Sequence, residues 1–148
     1  TFIWRIRDML ITRETDYAIR LIRALFEAKS NRLTIKEICD SQCIPQNFVY
    51  KIAKKLSRKD IIAIKRGVSG GCVLIKDPHD FSLYDVMAAI DAVRPVSACT
   101  VPGFSCPYRE KNCNFCNVHN HLEVMESHLQ DTLSNFSIYD LLVTPAKQ

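Results

Sequence analysis

The sequence predicts a mainly α-helical fold carrying one small β-hairpin, and three observations lead to it. Several segments repeat apolar residues at three and four positions, the period of a helix face. Two short apolar runs flank a glycine-rich, basic connection, KRGVSGG, at Lys65–Gly71, as in a hairpin. The longest periodic segment comes last: Val118, Leu122, Met125, Leu129, Leu133 and Phe136 step by four, three, four, four and three.

The elements follow in order. Thr15–Lys29 reads as a helix whose buried face is Tyr17, Ala18, Leu21, Ile22, Leu25 and Ala28, with Thr15 as its expected cap and Asp16 in the positive first turn. Thr34 opens a second helix, and Glu37 three residues on completes a capping box. Ile35, Ile38 and Cys39 mark its buried side. After the turn QCIP, Gln46–Lys59 is a third helix with the stripe Phe48, Val49, Ile52, Ala53 and Leu56. Two short helices joined by a tight turn, the second strongly basic, form a helix-turn-helix pattern. With the hairpin Ile61–Ile64 and Cys72–Ile75 the pattern becomes a winged helix. Ser82 caps a further helix, SLYDVMAAIDAV, with Asp85 reciprocating. Pro95, Pro102 and Pro107 then make the chain irregular before the long final helix.

This ordering divides the chain into an N-terminal extension (1–8), a winged helix-turn-helix domain (9–81), a linking helix with a cysteine-rich loop (82–117), and a long helix with its tail (118–148). The lone apolar seam of the last helix, Val118, Leu122, Met125, Leu129, Leu133 and Phe136, needs a partner, and a second copy of the same helix is the simplest one. A homodimer is therefore expected.

Bulk composition narrows the function classes. The 148 residues are 47% hydrophobic and 24% charged, ordinary for a globular chain able to bury its own core. No run of apolar residues is long enough to span a membrane, and the first ten residues lack the pattern of a secretory signal. A cytoplasmic protein is expected, where thiols stay reduced. The seven cysteines are an odd number, which argues against a complete disulfide framework. No nucleophile–base pair or phosphate-binding glycine loop is visible, so no enzyme is expected.

The charge is concentrated. Between Gln46 and Arg66 lie Lys51, Lys54, Lys55, Arg58, Lys59, Lys65 and Arg66 against Asp60 alone, a local charge of +6 in a chain of net charge +4. Duplex DNA rewards such a patch by releasing condensed counterions. Gln46, Asn47, Tyr50 and Lys51 suit base edges in the major groove. Lys54, Lys55 and Arg58 extend the basic face along the helix. Lys65 and Arg66, with Ser69 and Gly70 at the wing tip, suit phosphates or the minor groove. The expected partner is double-stranded DNA, as a pseudo-palindromic operator.

The second constellation is CTVPGFSCPYREKNCNFCNVH, Cys99 to His119. Cys99, Cys106, Cys113, Cys116 and His119 follow the spacing C-x6-C-x6-C-x2-C-x2-H. Pro102, Gly103 and Pro107 prevent one continuous helix, so the segment is a loop able to wrap its thiols around a small object. Iron–sulfur clusters are held mainly by cysteine thiolates, sometimes with histidine. A structural zinc site, free thiols and a regulatory disulfide are the other readings of these residues. Cys39 and Cys43 read as packing thiols, His79 as a turn residue, and His121 and His128 as solvated.

The segments LITRETDYAIR, RGVSGGCVL and SLYDVMAAID, together with the helix-turn-helix, resemble the winged-helix transcription regulators typified by the iron–sulfur regulator IscR and the nitric oxide sensor NsrR. The resemblance runs from Met9 to Leu142. It implies a dimeric DNA-binding repressor with a cluster, [2Fe-2S] or [4Fe-4S], between the winged helix and the long helix. It also implies a ligand set of Cys99, Cys106 and either Cys113 or Cys116. The fourth ligand would be His119, as in IscR-like members, or Asp16 of the other subunit, as in NsrR-like members. Tyr50 departs from the acidic residue frequent there in cluster-sensing members, and Cys72 stands where an aromatic is common. The signal implied is nitric oxide, redox state or iron supply. A cluster-free repressor dependent on a metabolite or zinc, and an iron–sulfur electron-transfer protein, are the alternatives.

Overall fold

The structure, a computed structural model, describes residues 9–30 and 32–146; the extension expected at residues 1–8 lies outside them. Helix α1 (Arg13–Glu27) begins earlier than its apolar pattern. Its cap is Thr12, whose hydroxyl accepts from Thr15 N–H, while Thr15 itself is fully buried. The expected cap is thus corrected by one turn. Two threonines three residues apart compete for the role, and burial claims the second.

Strand β1 (Arg32–Leu33) leads to α2 (Ile35–Gln42), which carries the expected capping box. The Glu37 carboxylate accepts from Thr34 N–H at 2.7 Å and from its hydroxyl at 2.8 Å. Cys43 ends α2 in the left-handed conformation at φ 54°. Helix α3 (Gln46–Ser57) follows at once. The wing is β2 (Ile62–Lys65) paired antiparallel with β3 (Gly71–Leu74), and β1 adds a third strand on the far side of β3. A two-residue strand has no alternation to read, which is why the pattern predicted only a hairpin. Gly71 adopts φ 146° with Leu33 O only 2.7 Å from where a Cβ would stand, so a side chain there would drive β1 off β3.

Helix α4 (Leu83–Ala89) is shorter than expected; its end is followed by Asp91 at φ 59°. After the cysteine segment come α6 (Asn117–Asn135) and α7 (Ile138–Val143); the short α5 (Pro107–Lys111) lies within the segment. No described helix is long and apolar enough to cross a membrane.

One core holds these elements. Leu21, Ile22 and Leu25 of α1, Ile38 of α2, and Val49, Ile52 and Leu56 of α3 are buried together with Ile62, Cys72, Val86, Met87 and Ile138. Burying side chains of this size contributes about 1.5–3 kcal/mol each before entropy is counted. Ile138 was not foreseen as core. It brings the chain's end back: Ile138 N–H donates to Phe81 O at 2.9 Å and Leu83 N–H to Phe136 O at 3.0 Å. The end of α6 is thereby stitched to the start of α4.

The capping box makes a simple test. Thr34→Ala should cost about 1 kcal/mol in urea unfolding at neutral pH. The Glu37 carboxyl is held below its usual range by the bonds from Thr34. That contribution is present above the ordinary carboxylate pKa and is lost as pH falls through the lowered one. Acid titration of stability should therefore be flatter in Thr34→Ala than in the native protein.

Candidate nucleic-acid interface and metal centre

Helix α3 divides cleanly. Val49, Ile52, Ala53 and Leu56 are buried, while Gln46, Asn47, Tyr50, Lys51 and Lys54 are exposed along the opposite face. The turn of α2 into α3 is braced by α1: Arg20 donates to Gln42 O at 3.4 Å and Arg23 to Gln42 Oε1 at 2.8 Å. Lys54, Arg58, Lys65 and Arg66 are exposed and pair with no carboxylate among the described residues. On the wing, the Arg32 guanidinium donates to Ser69 O, holding the tip; Gly70 is half-buried against the hairpin.

Two lysines of the basic helix are occupied instead. Lys51 Nζ lies 2.7 Å from Glu14 Oε1 of α1. Lys55 Nζ lies 2.7 Å from Ile90 O and 3.1 Å from Asp91 Oδ2, at the end of α4. Both pairs border a cleft of about 560 Å³, also lined by Phe48 and Ile90. Lys55 thus anchors α3 to α4 rather than standing free. A sequence shows the sign of a lysine but not its nearest carboxylate.

The cysteine segment is irregular, as the prolines require, but not shapeless. Ser97 caps a 3-10 turn at Ala98–Thr100, Gly103 takes φ 79°, and Pro107 occupies the first position of α5. Cys113 and Asn114 are both left-handed, at φ 54° and 61°. Cys116 caps α6, its sulfur 3.5 Å from His119 N. All seven cysteines are free. Cys99, Cys106 and Cys116 are half-buried and Cys113 is exposed. Among the described residues, no three His, Cys, Asp or Glu side chains converge as a metal site. Asp16 sits in the first turn of α1, paired with Arg20 at 2.9 Å.

His119 stands apart. It is 5% exposed, its Nε2 lies 3.0 Å from Glu123 Oε1, and its Nδ1 is buried without a hydrogen-bond partner among the described residues. With Nε2–H donated to the carboxylate, Nδ1 is the nitrogen left with a lone pair. The remaining thiols differ in kind. Cys72 is wholly buried and Cys39 half-buried, and burial pushes both thiols up, so neither is a ready thiolate. Cys43, expected to be packed, is exposed at the α2 cap. His79 stacks on Tyr139 at 3.9 Å in its turn, and His121 and His128 are exposed.

The seam of α6 is covered in part by α4. Leu129 and Leu133 line a narrow cleft with Tyr84 and Met87 of α4, and Leu133 packs on the core. Val118 and Met125 remain 67% and 56% exposed, and Phe136, just past the helix end, is also exposed. Leu122 is half-buried. Within one chain, then, Leu129 and Leu133 lie on the side of α6 that meets α4, while Val118, Met125 and Phe136 stay exposed.

Comparison with known proteins gives consistent results. Residues 11–144 match the family described as "Rrf2: Iron-dependent Transcriptional regulator". A putative HTH-type transcriptional regulator of Aquifex aeolicus is 25% identical over 134 residues, 90% of this chain and 92% of that one. The HTH-type transcriptional regulator NsrR of Bacillus licheniformis is 34% identical over 80 residues, covering 53% of this chain and 56% of that protein. The solved structure of T. potens IscR superposes with a TM-score of 0.67 over 95% of both chains at 14% identity, a likeness of fold.

Neighbouring lysines on α3 should behave differently. Lys55→Met should lower stability by about 1 kcal/mol through loss of its bonds to Ile90 O and Asp91. Lys54→Met, exposed and unpaired, should leave the thermal midpoint unchanged.

Proposed function

The chain belongs to the Rrf2 family of DNA-binding transcriptional regulators, and on that premise we propose a homodimeric, cytoplasmic repressor whose hold on a pseudo-palindromic operator is governed by an iron–sulfur cluster in the Cys99–His119 segment. The observation that carries the DNA reading is the exposed polar face of α3, beside a wing whose Lys65 and Arg66 have no carboxylate partner among the described residues. Gln46, Asn47 and Tyr50 meet base edges. Lys54, Arg58, Lys65 and Arg66 meet phosphates. Lys51, tied to Glu14, approaches the duplex only by giving up that bond.

Two observations support the cluster. Four free thiols fall within 18 residues, and the buried Nδ1 of His119 has no hydrogen-bond partner among the described residues. An orphaned buried nitrogen costs about 1–3 kcal/mol, a cost that a metal ligand bond removes. Cys99, Cys106 and one of Cys113 or Cys116 supply the thiolates, and His119 supplies the fourth corner in preference to Asp16, which is already paired. The cluster would supply a group that nitric oxide, oxidation or iron shortage can alter or remove. The chain's own part is to couple the segment to α4 and α6, which carry the winged helix and the dimer seam. In a dimer, that coupling sets the separation of the two recognition helices, which must match one helical turn of DNA.

Arg66→Ala and Lys54→Ala should weaken operator binding without unfolding the protein, each lowering the salt slope by about one unit. Unchanged slopes in both would remove this DNA face.

Cys99→Ala, Cys106→Ala and His119→Ala should each abolish or shift the visible chromophore of anaerobically purified protein, while only one of Cys113→Ala and Cys116→Ala should do so. A colourless, zinc-loaded native protein from iron-replete anaerobic expression would sink the cluster reading.

Met125→Asp should give monomers in sedimentation, because Met125 belongs to the exposed side of the α6 seam.

A further inference from the structure

We infer that Glu126 is a positioning residue that fastens the Cys99 turn to α6, and so sets where the first thiol of the segment stands relative to Cys116 and His119. Glu126 lies seven residues beyond His119, about two turns further along the same helix. A glutamate on a surface helix ordinarily extends into water. This one is half-buried and turned towards the chain that precedes it. Its Oε2 accepts from Val96 N–H at 2.7 Å and lies 2.8 Å from the Thr100 hydroxyl. Val96 and Thr100 bracket Cys99.

The Thr100 hydroxyl has one proton and also lies 2.8 Å from Ser97 O, so it is shared. The Val96 N–H bond is the one that cannot be redirected. Because its acceptor is an ionisable carboxylate, it is of the stronger, charge-assisted kind. Between its two attachment points the turn is rigid. Ser97 Oγ lies 3.4 Å from Cys99 N and 3.3 Å from Cys99 Sγ, and Thr100 N–H closes onto Ser97 O at 3.2 Å. Fixing Val96 and Thr100 therefore fixes Cys99.

Glu126 also has no substitute. Every other hydrogen bond made by residues 96–115, among those described, stays inside that segment. Among the described residues, the carboxylate is its one polar tie to the rest of the chain. Without it, the Cys99 turn would keep only its packing against α6 and its covalent connections. The thiols sit on separate local structures: Cys99 on its turn, Cys106 before α5, and Cys116 at the head of α6. Glu126 joins the first of these to the last. As a statement about a cluster the inference rests on the function proposed above; as a statement about Cys99 it stands alone.

The test uses the full-length protein in two arms. In metal-free protein, alkylation of each cysteine by iodoacetamide is followed by mass spectrometry. Glu126→Ala should speed modification of Cys99 about 10-fold, the consequence of losing one charge-assisted bond, and leave Cys39, Cys43 and Cys113 unchanged. Glu126→Gln, whose amide oxygen still accepts from Val96 N–H, should stay near the native rate. Hydrogen exchange in the native protein should show Val96 N–H protected. A native Cys99 rate in Glu126→Ala, or an unprotected Val96 amide, overturns the assignment whatever the protein binds. In iron-reconstituted protein, Glu126→Ala should lose the chromophore about 10-fold faster than native, with Glu126→Gln restoring it. Equal loss in Glu126→Ala and native protein overturns the positioning role. A native protein that takes up no iron overturns the cluster reading alone, and the alkylation arm then decides the role of Glu126.

Discussion

The recognition helix can present a polar face only because its other face is held. Val49, Ile52, Ala53 and Leu56 seat α3 against α1 and the first wing strand, and two cationic ties finish the seating. Lys51 reaches Glu14 of α1, and Lys55 reaches Ile90 O and the Asp91 carboxylate at the end of α4. The apolar contacts fix how deep the helix lies. The lysines fix how it is rotated and where its ends point. Tyr50, Lys54 and Arg58 are aimed by this seating, and an unbraced helix of 12 residues would be marginal in water. Since α4 also packs on α6, the orientation of α3 is referred, one element at a time, to the helix that carries the exposed seam.

Much of this is legible in the residues. Capping boxes are local chemistry, and Thr34–Glu37 and Ser82–Asp85 form as their spacing requires. The α3 stripe is a local periodicity, and Val49, Ile52, Ala53 and Leu56 are buried along it, with Phe48 half-buried. The glycines of the wing mark a turn that the structure contains. What pattern reading misses is non-local. Strand β1 is too short to carry a period and exists because β3 has an open edge. Thr12 and Thr15 are equally good caps until packing chooses between them. Helix α7 carries Ser137 and Asp140 at the spacing of a cap, a signal hidden by the apparent continuity of the seam through Phe136.

The cysteine segment shows the same division more sharply. Its prolines and glycine predict interrupted backbone, and interrupted backbone is found. Its spacing cannot reveal that Cys99 is held by a carboxylate on a later helix, because that bond spans 30 residues. Nor does a histidine near cysteines announce which nitrogen is free. That follows from Glu123, one turn away, once the helix is formed. Residue type and spacing nominate candidate ligands; the contacts that orient them are not in the spacing.

Ile138 has a consequence for how the molecule is connected. The chain leaves the core after α4 and re-enters it after α6, and the antiparallel bridge between Ser82 and Ser137 closes that excursion at its base. The long helix is thus moored at its far end without help from the stretch that leads into it. Scission anywhere between Val101 and Phe115 would leave two pieces still clasped through Ile138 and the backbone bonds beside it. Covalent continuity there is redundant for holding the body together. The segment between α4 and α6 can change while the helix behind it keeps that mooring.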